Sequence, residues 1–288
     1  MPPTTPFTTP QAVESLRPNV HEFPPEDIIP EALIFAATTH VADVRGDEPV
    51  VKCPYIEVEE PGFVPEGDEI PVNPIDSREG VIATGALATL TVVSVDQYRH
   101  NGVSALLTSE LKRSMILKAD TALLSQPAPA GKKITPPPGL LVQDHASGGE
   151  IVDNLDALSD AIAQIEAEGG TADVIVTSPL GWSAVSKLKT AVDSNQSLLG
   201  PPGVAAARVL LSVPVRVAAR VPEDTLLVID KRAVLSAFSP LEVATSEHAS
   251  FRRRSIETRL WWRIGATITH PDRVIELTVA AVEEEVET

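Results

Sequence analysis

One cysteine, Cys53, is all that the 288-residue chain carries, which excludes a disulfide framework within the chain and any cysteine-based zinc site. Aromatic residues are sparse at 4%, so the core must be built from Ala, Val, Leu and Ile. Positive charge is scarce too: 23 Lys and Arg against 40 Asp and Glu give 23 − 40 = −17. That balance argues against a nucleic-acid reader, whose phosphate contacts need clustered Lys and Arg. No apolar run reaches the ~18 residues of a membrane-spanning helix. The opening MPPTTPFTTP lacks the basic region and apolar stretch of a secretory signal. The expectation is a soluble intracellular protein.

Catalytic constellations are missing as well. A Walker loop needs G-x-x-x-x-G-K-[ST], but Gly131-Lys132 runs into Lys133 with no suitable glycine before it. Gly181-Trp182-Ser183 is the nearest approach to a nucleophile elbow and lacks the second glycine. There is no G-x-G-x-x-G and no H-E-x-x-H. The histidines at 21, 40, 100, 145, 248 and 270 are scattered and form no local ligand pattern. Cys53 stands beside Pro54 among acidic residues, which raise a thiol pKa and blunt it as a nucleophile. The acids between 57 and 69 lack the D-x-[DN]-x-[DN]-G spacing of a calcium loop; a solvated acidic loop is the better reading. No catalytic, cofactor-binding or metal residue is assigned, and no cofactor is expected.

Hydrophobic residues at 43% and charged residues at 22% belong to a folded protein. The length suits one large domain or two of modest size. Proline is abundant, 26 residues or about 9% against the usual ~5%. Eight prolines fall within residues 1–30. Proline fixes φ and lacks an N–H, so this stretch is expected to hold neither helix nor central strand. It reads as an extended arm that must lie on something else to be ordered, or as a disordered tail. An apolar patch (Ala32, Leu33, Ile34, Phe35, Val41) follows and could anchor it. Residues 48–80 read as a β-hairpin: a strand through Val51, Cys53, Tyr55 and 56–58, a turn punctuated by Pro61, Gly62, Pro65 and Gly67, and a return through Ile70 and Val72. Its middle carries Glu57, Glu59, Glu60, Glu66, Asp68 and Glu69. A ribbon so poor in apolar residues is marginal alone and is expected to lie on a neighbouring surface.

Residues 81–95 end strongly β-prone, and 101–126 predict one long helix, capped by Asn101 and stopped by Pro127. Its apolar stripe is Val103, Leu106, Leu107, Leu111, Leu117 and Leu124. A helix of that length is a rod of roughly 39 Å. PAPAGKKITPPPG (127–139) marks a boundary, after which the pattern turns α/β. Asn154 caps a helix that presents Leu155, Leu158, Ile162 and Ile165 on one face and ends at Gly169-Gly170. Residues 172–178 form a buried strand, and Pro179 opens a helix over Gly181–Asp193. Residues 195–203 are a Pro/Gly loop, and 207–221 give two short strands. The final block is mostly β: strands at 226–230 and 241–245, a long strand at 251–269, then a closing turn and strand at 270–280. In the long strand Ile256, Thr258, Leu260, Trp262, Ile264, Ala266 and Ile268 share one face; Arg253, Glu257, Arg259, Trp261 and Arg263 share the other.

This order of elements (arm, acidic hairpin, long helix, α/β region, return of long strands) resembles the major capsid protein of tailed bacteriophages, the Hong Kong 97-like fold. The most specific residues are TLLVIDKRAVLSAFSPLEVATSEHASFRRRSIETRLWWRIGATITHPDRVIEL (225–277): a strand ending in Asp, a short helix, a strand, an Arg-rich long strand and an hP-x-R-h-h-x-L close. The resemblance implies an α+β fold with an N-terminal arm (1–46), an E-loop β-hairpin (47–80), a P-domain begun by a long spine helix (81–127), an α/β A-domain (128–224) and the rest of the P-domain with its long β-sheet (225–288). It implies a structural protein, not an enzyme. Such a subunit self-assembles into the pentamers and hexamers of an icosahedral shell around phage double-stranded DNA, without sequence-specific binding. It resides in the virion capsid and assembles in the host bacterial cytoplasm.

By the same resemblance, Arg253, Arg259 and Arg263 would meet acids of a neighbour, the Glu57–Glu69 loop among them. Single exposed pairs are worth only ~0–1 kcal/mol, but a shell repeats each one many times. The acidic surplus suits a wall along which a genome slides during filling. In the founding member of the family an E-loop lysine forms an isopeptide bond with a P-domain asparagine. Here Lys52 is the ribbon's only lysine and residues 225–288 hold no asparagine, so no such crosslink is expected. A separate scaffolding protein and a portal are the implied partners, with a decoration or cementing protein as a further one. Two other readings stay open: an encapsulin-type nanocompartment shell of the same fold, and a small-molecule enzyme using residues 150–221.

Overall fold

A computed structural model describes residues 20–58, 63–64, 75–100, 102–131, 133–189, 198 and 208–280. Its helices are α1 (Pro25–Ile28), α2 (Leu33–Ala37), α3 (Val95–Tyr98), α4 (Val103–Ser125), α5 (Asp156–Ala167) and α6 (Pro179–Lys187). The proline-rich arm does form one helical turn, α1, because Pro25 occupies the first helical position, where no N–H is needed. Strand β1 (Val20–Phe23) stands at a sheet edge, the place proline-rich chain tolerates. The long helix α4 starts after Gly102 (φ 87); the expected cap, Asn101, lies outside the described residues. At ~1.5 Å per residue its 23 residues span about 35 Å. Its buried side is Leu111, Met115, Ala119, Asp120, Ala122, Leu123 and Leu124. Leu106, expected in the stripe, is 67% exposed: the first turns of the helix project past the core. Helix α5 is capped from outside, Asn154 Oδ1 accepting the Asp156 N–H, and it ends as expected, with Gly169 at φ 72 and the Gly170 N–H returning to the Ile165 carbonyl. Helix α6 ends at Lys187, short of Asp193; Ser178 Oγ caps it by accepting the Gly181 N–H.

The first sheet is organised by β13 (Ser255–Ile268). Strand β12 (Leu241–Ser250) runs antiparallel along one of its edges and carries β1 outside it. Two strands share the other edge end to end: β5 (Gly85–Ser94) pairs with residues 255–264 and β11 (Val234–Phe238) with 264–268. Strand β2 (Thr39–Asp43) adds parallel to β11. Leu260, Trp262 and Ile264 of β13 are buried against α4 and α2, and Ile256 is buried too, the alternation expected of a half-covered strand. The strand begins later than 251, because Phe251–Arg253 form a 3-10 turn and Arg254 takes φ 48. Arg253 therefore precedes the strand and does not share a face with Arg259.

The second sheet orders β6 (Ala146–Ile151), β14 (Val274–Val279), β10 (Thr225–Ile229), β7 (Val174–Thr177), β9 (Val213–Val217) and β8 (Val209–Leu210). Every residue of β7 and β10 is buried, because both faces of this sheet are covered. Leu227 and Ile229 pack into the core shared with the first sheet; Leu226 and Val228 pack with residues of α5 and α6. Sheet membership crosses the expected boundary at 224/225, since β10 and β14 pair with strands of the α/β region.

A two-stranded ribbon stands apart, β3 (Val50–Val58) antiparallel to β4 (Ile75–Ala83), in register from Val50 opposite Ala83 to Val58 opposite Ile75. The return expected through Ile70 and Val72 lies outside the described residues, as does most of the 195–203 loop. At the ribbon's base Cys53 and Ile82 join Val44 and Ala237 in a small cluster. Gly265 of β13 makes that approach possible: a Cβ there would stand 2.1 Å from the Ala83 carbonyl oxygen.

Candidate functional site

Among the described residues no group of three or more His, Cys, Asp or Glu converges as a metal site, and no helix is long and apolar enough to cross a membrane. The histidines with polar contacts tie elements together. His145 Nε2 lies 2.8 Å from Glu276 Oε2 and its Nδ1 2.8 Å from the Gln143 carbonyl oxygen; His40 stacks on Phe238 at 4.0 Å. The groove of about 540 Å³ beside α6 holds Ser183, Lys187, Glu223 and Asp224 but no histidine to activate the serine. Burial pushes the Cys53 thiol up. The direction is the one expected of this cysteine, but the cause is desolvation, not neighbouring acids.

The three arginines marked out in the sequence have different surroundings. Arg263 is buried, at 8% exposure. Its Nε donates to Thr84 Oγ1 at 2.9 Å and its Nη1 to Asp47 Oδ1 at 3.3 Å. A buried guanidinium must be hydrogen-bonded to be tolerated, and here its partners sit at the two ends of the ribbon's base. Arg259 is half-exposed on the outer face of β13, 4.0 Å from Glu242 of β12. Arg253 is exposed in the 3-10 turn beside Arg252. Glu57 lies on β3 opposite Asp76; Glu59, Glu60, Glu66, Asp68 and Glu69 lie outside the described residues. Lys52 Nζ is 2.7 Å from Glu79 Oε2 across the ribbon, and that hydrogen bond holds its pKa above the ordinary lysine value.

Asp120 was not singled out by the sequence. It is 4% exposed on α4, and its Oδ1 accepts the Leu33 N–H at 2.9 Å. That N–H is the first of α2, whose own capping residue, Ala32, has no side-chain oxygen. Burial pushes the Asp120 carboxyl up to about 6. The signal was in the spacing: 111, 115, 119, 120, 123 and 124 form one buried face, and one of them is an acid.

The outward side of β5 is apolar, with Leu90 at 60% and Val92 at 52% exposure, and Val81 on the ribbon is exposed at 51%. The edge of β5 away from β13 has no strand partner among the described residues. Leu90 and Val92 on that open-edged strand are a candidate interaction surface.

Residues 82–279 match the model of the phage capsid family. No curated protein matches the chain. Among solved structures the chain is similar to the capsid of an empty GTA particle computed with C5 symmetry, with TM-score 0.65, 16% identity and coverage of 87% of this chain and 90% of that one. It is also similar to structures from Gordonia phage Cozz (TM-score 0.61, 12% identity, 87% of this chain and 87% of that) and Microbacterium phage Oxtober96 (TM-score 0.61, 14% identity, 96% of this chain and 100% of that). Identities this low make the likeness one of fold.

Proposed function

The chain belongs to the phage capsid family, and from that premise we propose that this shell protein of mixed α and β structure assembles with copies of itself into the pentamers and hexamers of an icosahedral capsid around double-stranded DNA. The relative solved with C5 symmetry is a capsid, which supports assembly about a five-fold axis. The observation that carries the reading is the ribbon: strands of nine residues whose described side chains bury little besides Cys53 and Ile82. Chain that builds so little of its own core gains order by lying across another subunit.

In this reading residues 1–46 are an arm, 47–80 an E-loop, and 81–127 with the first sheet a peripheral domain around the spine helix α4. The axial unit is the second sheet with α5 and α6; it begins within 128–224 and takes β10 and β14 from the 225–288 block. Glu57, Glu59, Glu60, Glu66, Asp68 and Glu69 together with Arg253 and Arg259 are contact residues between copies, whereas Arg263 serves its own ribbon. The net charge of −17 presents a repulsive wall to packaged DNA. Scaffolding, portal and cementing proteins are the partners such a shell takes, and Lys52, already engaged by Glu79, forms no crosslink to an asparagine. Negative-stain electron microscopy after size-exclusion chromatography with light scattering tests the reading. Closed shells, or free pentamers and hexamers, are expected from the chain expressed alone or together with its scaffolding protein; a discrete monomer or dimer in both cases would overturn it.

A further inference from the structure

Two features, one just before the start of β13 and one at its middle, complement each other and cannot meet within one chain. The corner that joins β12 to β13 exposes Arg252, Arg253 and Arg254. Asp96 stands 3.8 Å from Arg254, while the side chains of Arg252 and Arg253 have no partner among the described residues. Farther along the sheet, a groove of about 680 Å³ opens between the arm and the turn from β11 to β12. Phe23 and Trp261 line it beside the buried Phe238, whose ring His40 covers. Its carboxylates include Glu26 and Glu242, the latter with Arg259 4.0 Å away, while His40 stands 3.0 Å from Asp43 and Arg45 lies on the same rim. Ring faces and carboxylates together suit a guanidinium, which stacks on the first and donates to the second.

Six steps of β13 separate Ser255 from Trp261, about 20 Å at ~3.4 Å per residue. The two arginines lie a further turn beyond Ser255, so neither reaches the groove of its own chain. Resting on the proposed shell function, we infer that the Arg252–Arg253 corner of one copy seats in the groove beside Trp261 of a second copy. The contact is heterologous, one patch against a different patch, and such contacts close into rings when the rotation between copies fits the circle. Charge complementarity sets which neighbours pair and in what register.

Charge reversal tests the pairing, with particles counted by negative-stain microscopy and subunit folding followed by circular dichroism. Arg252→Glu with Arg253→Glu puts acid against acid and is expected to abolish particles from a folded subunit. Glu26→Arg with Glu242→Arg does the same from the groove side. All four substitutions in one chain restore complementarity and particles. The milder Arg252→Ala with Arg253→Ala reduces particle yield without introducing repulsion. Normal particles from either reversed chain would overturn the pairing, and so would a four-fold variant that folds but stays dispersed. Rescue of the corner variant by Glu57→Arg, Glu59→Arg and Glu60→Arg would overturn it too, assigning the corner to the neighbour's ribbon. Particles from the unaltered chain preserve the capsid reading in each of those cases; their absence would sink both.

Discussion

The second sheet and the ribbon contain comparable strands and meet opposite fates. Strand β10 buries all of its residues, because Leu227 and Ile229 face one core while Leu226 and Val228 face another. Strands β3 and β4 are nearly twice as long, yet the ribbon's described side chains bury little beyond Cys53 and Ile82. The contrast separates what the chain completes alone from what it leaves to a neighbour. Substitutions in the first class lower subunit stability; those in the second leave it unchanged and alter assembly.

The largest effect is expected in the closed region. Trp262 is fully buried between the sheets, its ring tilted against Phe35 and Phe238 with centroids 6.1 and 6.3 Å away, and its Nε1 donates to the Ser239 carbonyl at 3.0 Å. Trp262→Ala is expected to cost about 3–5 kcal/mol, read as the denaturant midpoint of the dispersed subunit. A loss under about 1 kcal/mol would mean that this core is not what holds the subunit together.

Asp120 provides the next largest effect, with a sign that depends on pH. Its carboxyl titrates near 6 when folded, against an ordinary value of 3.8. The native state therefore binds the proton more tightly, and stability falls as pH rises from about 4 to about 6. Asp120→Asn keeps an acceptor for the Leu33 N–H and removes the charge. It is expected to raise stability at pH 7 by at most about 3 kcal/mol, with the two proteins converging near pH 3.5 in urea melts. Equal stability at both pH values would show that the burial cost is relieved in solution.

Arg263 sits at the seam between the two regions. Arg263→Met keeps the bulk and removes the donors to Thr84 and Asp47. A cost of about 1–3 kcal/mol is expected, with faster amide exchange concentrated in β3 and β4 rather than in β7 and β10. Uniform loss of protection would contradict its role as an anchor of the ribbon.

How much of this was legible depended on sequence distance. The long helix and the alternation along β13 followed from periods of 3.6 and 2 within short windows, whereas the ribbon's return strand, Ile75–Ala83, was not placed by them. Arg263 was grouped with Arg259 by parity alone, because its partner Thr84 is 179 positions away. Arg253 left the strand through Arg254 at φ 48, a left-handed residue that no glycine announced. A strand apolar on both faces, such as β10, tells a reader that it is buried but not which sheet it joins. The acids from Glu59 to Glu69 stand out in the sequence as a charge cluster, yet that signal names no partner.

The smallest effect on the subunit is the sharpest test of the contrast. Leu90 and Val92 point outward from β5, more than half exposed, on a strand whose far edge is unpaired among the described residues. In a dispersed subunit, Leu90→Ser with Val92→Ser removes apolar surface already in water, so stability should shift by no more than about 0.5 kcal/mol. If a second copy covers that surface, each exposed leucine or valine contributes on the order of 1 kcal/mol per contact at ~25 cal/mol per Å², multiplied over every copy in the shell. The double variant is then expected to unfold like the unaltered subunit but need a markedly higher protein concentration before particles form in light scattering. Particles formed at the unaltered concentration would mean that this edge stays in solvent, and would leave the ribbon and arm as the places where one copy depends on the next.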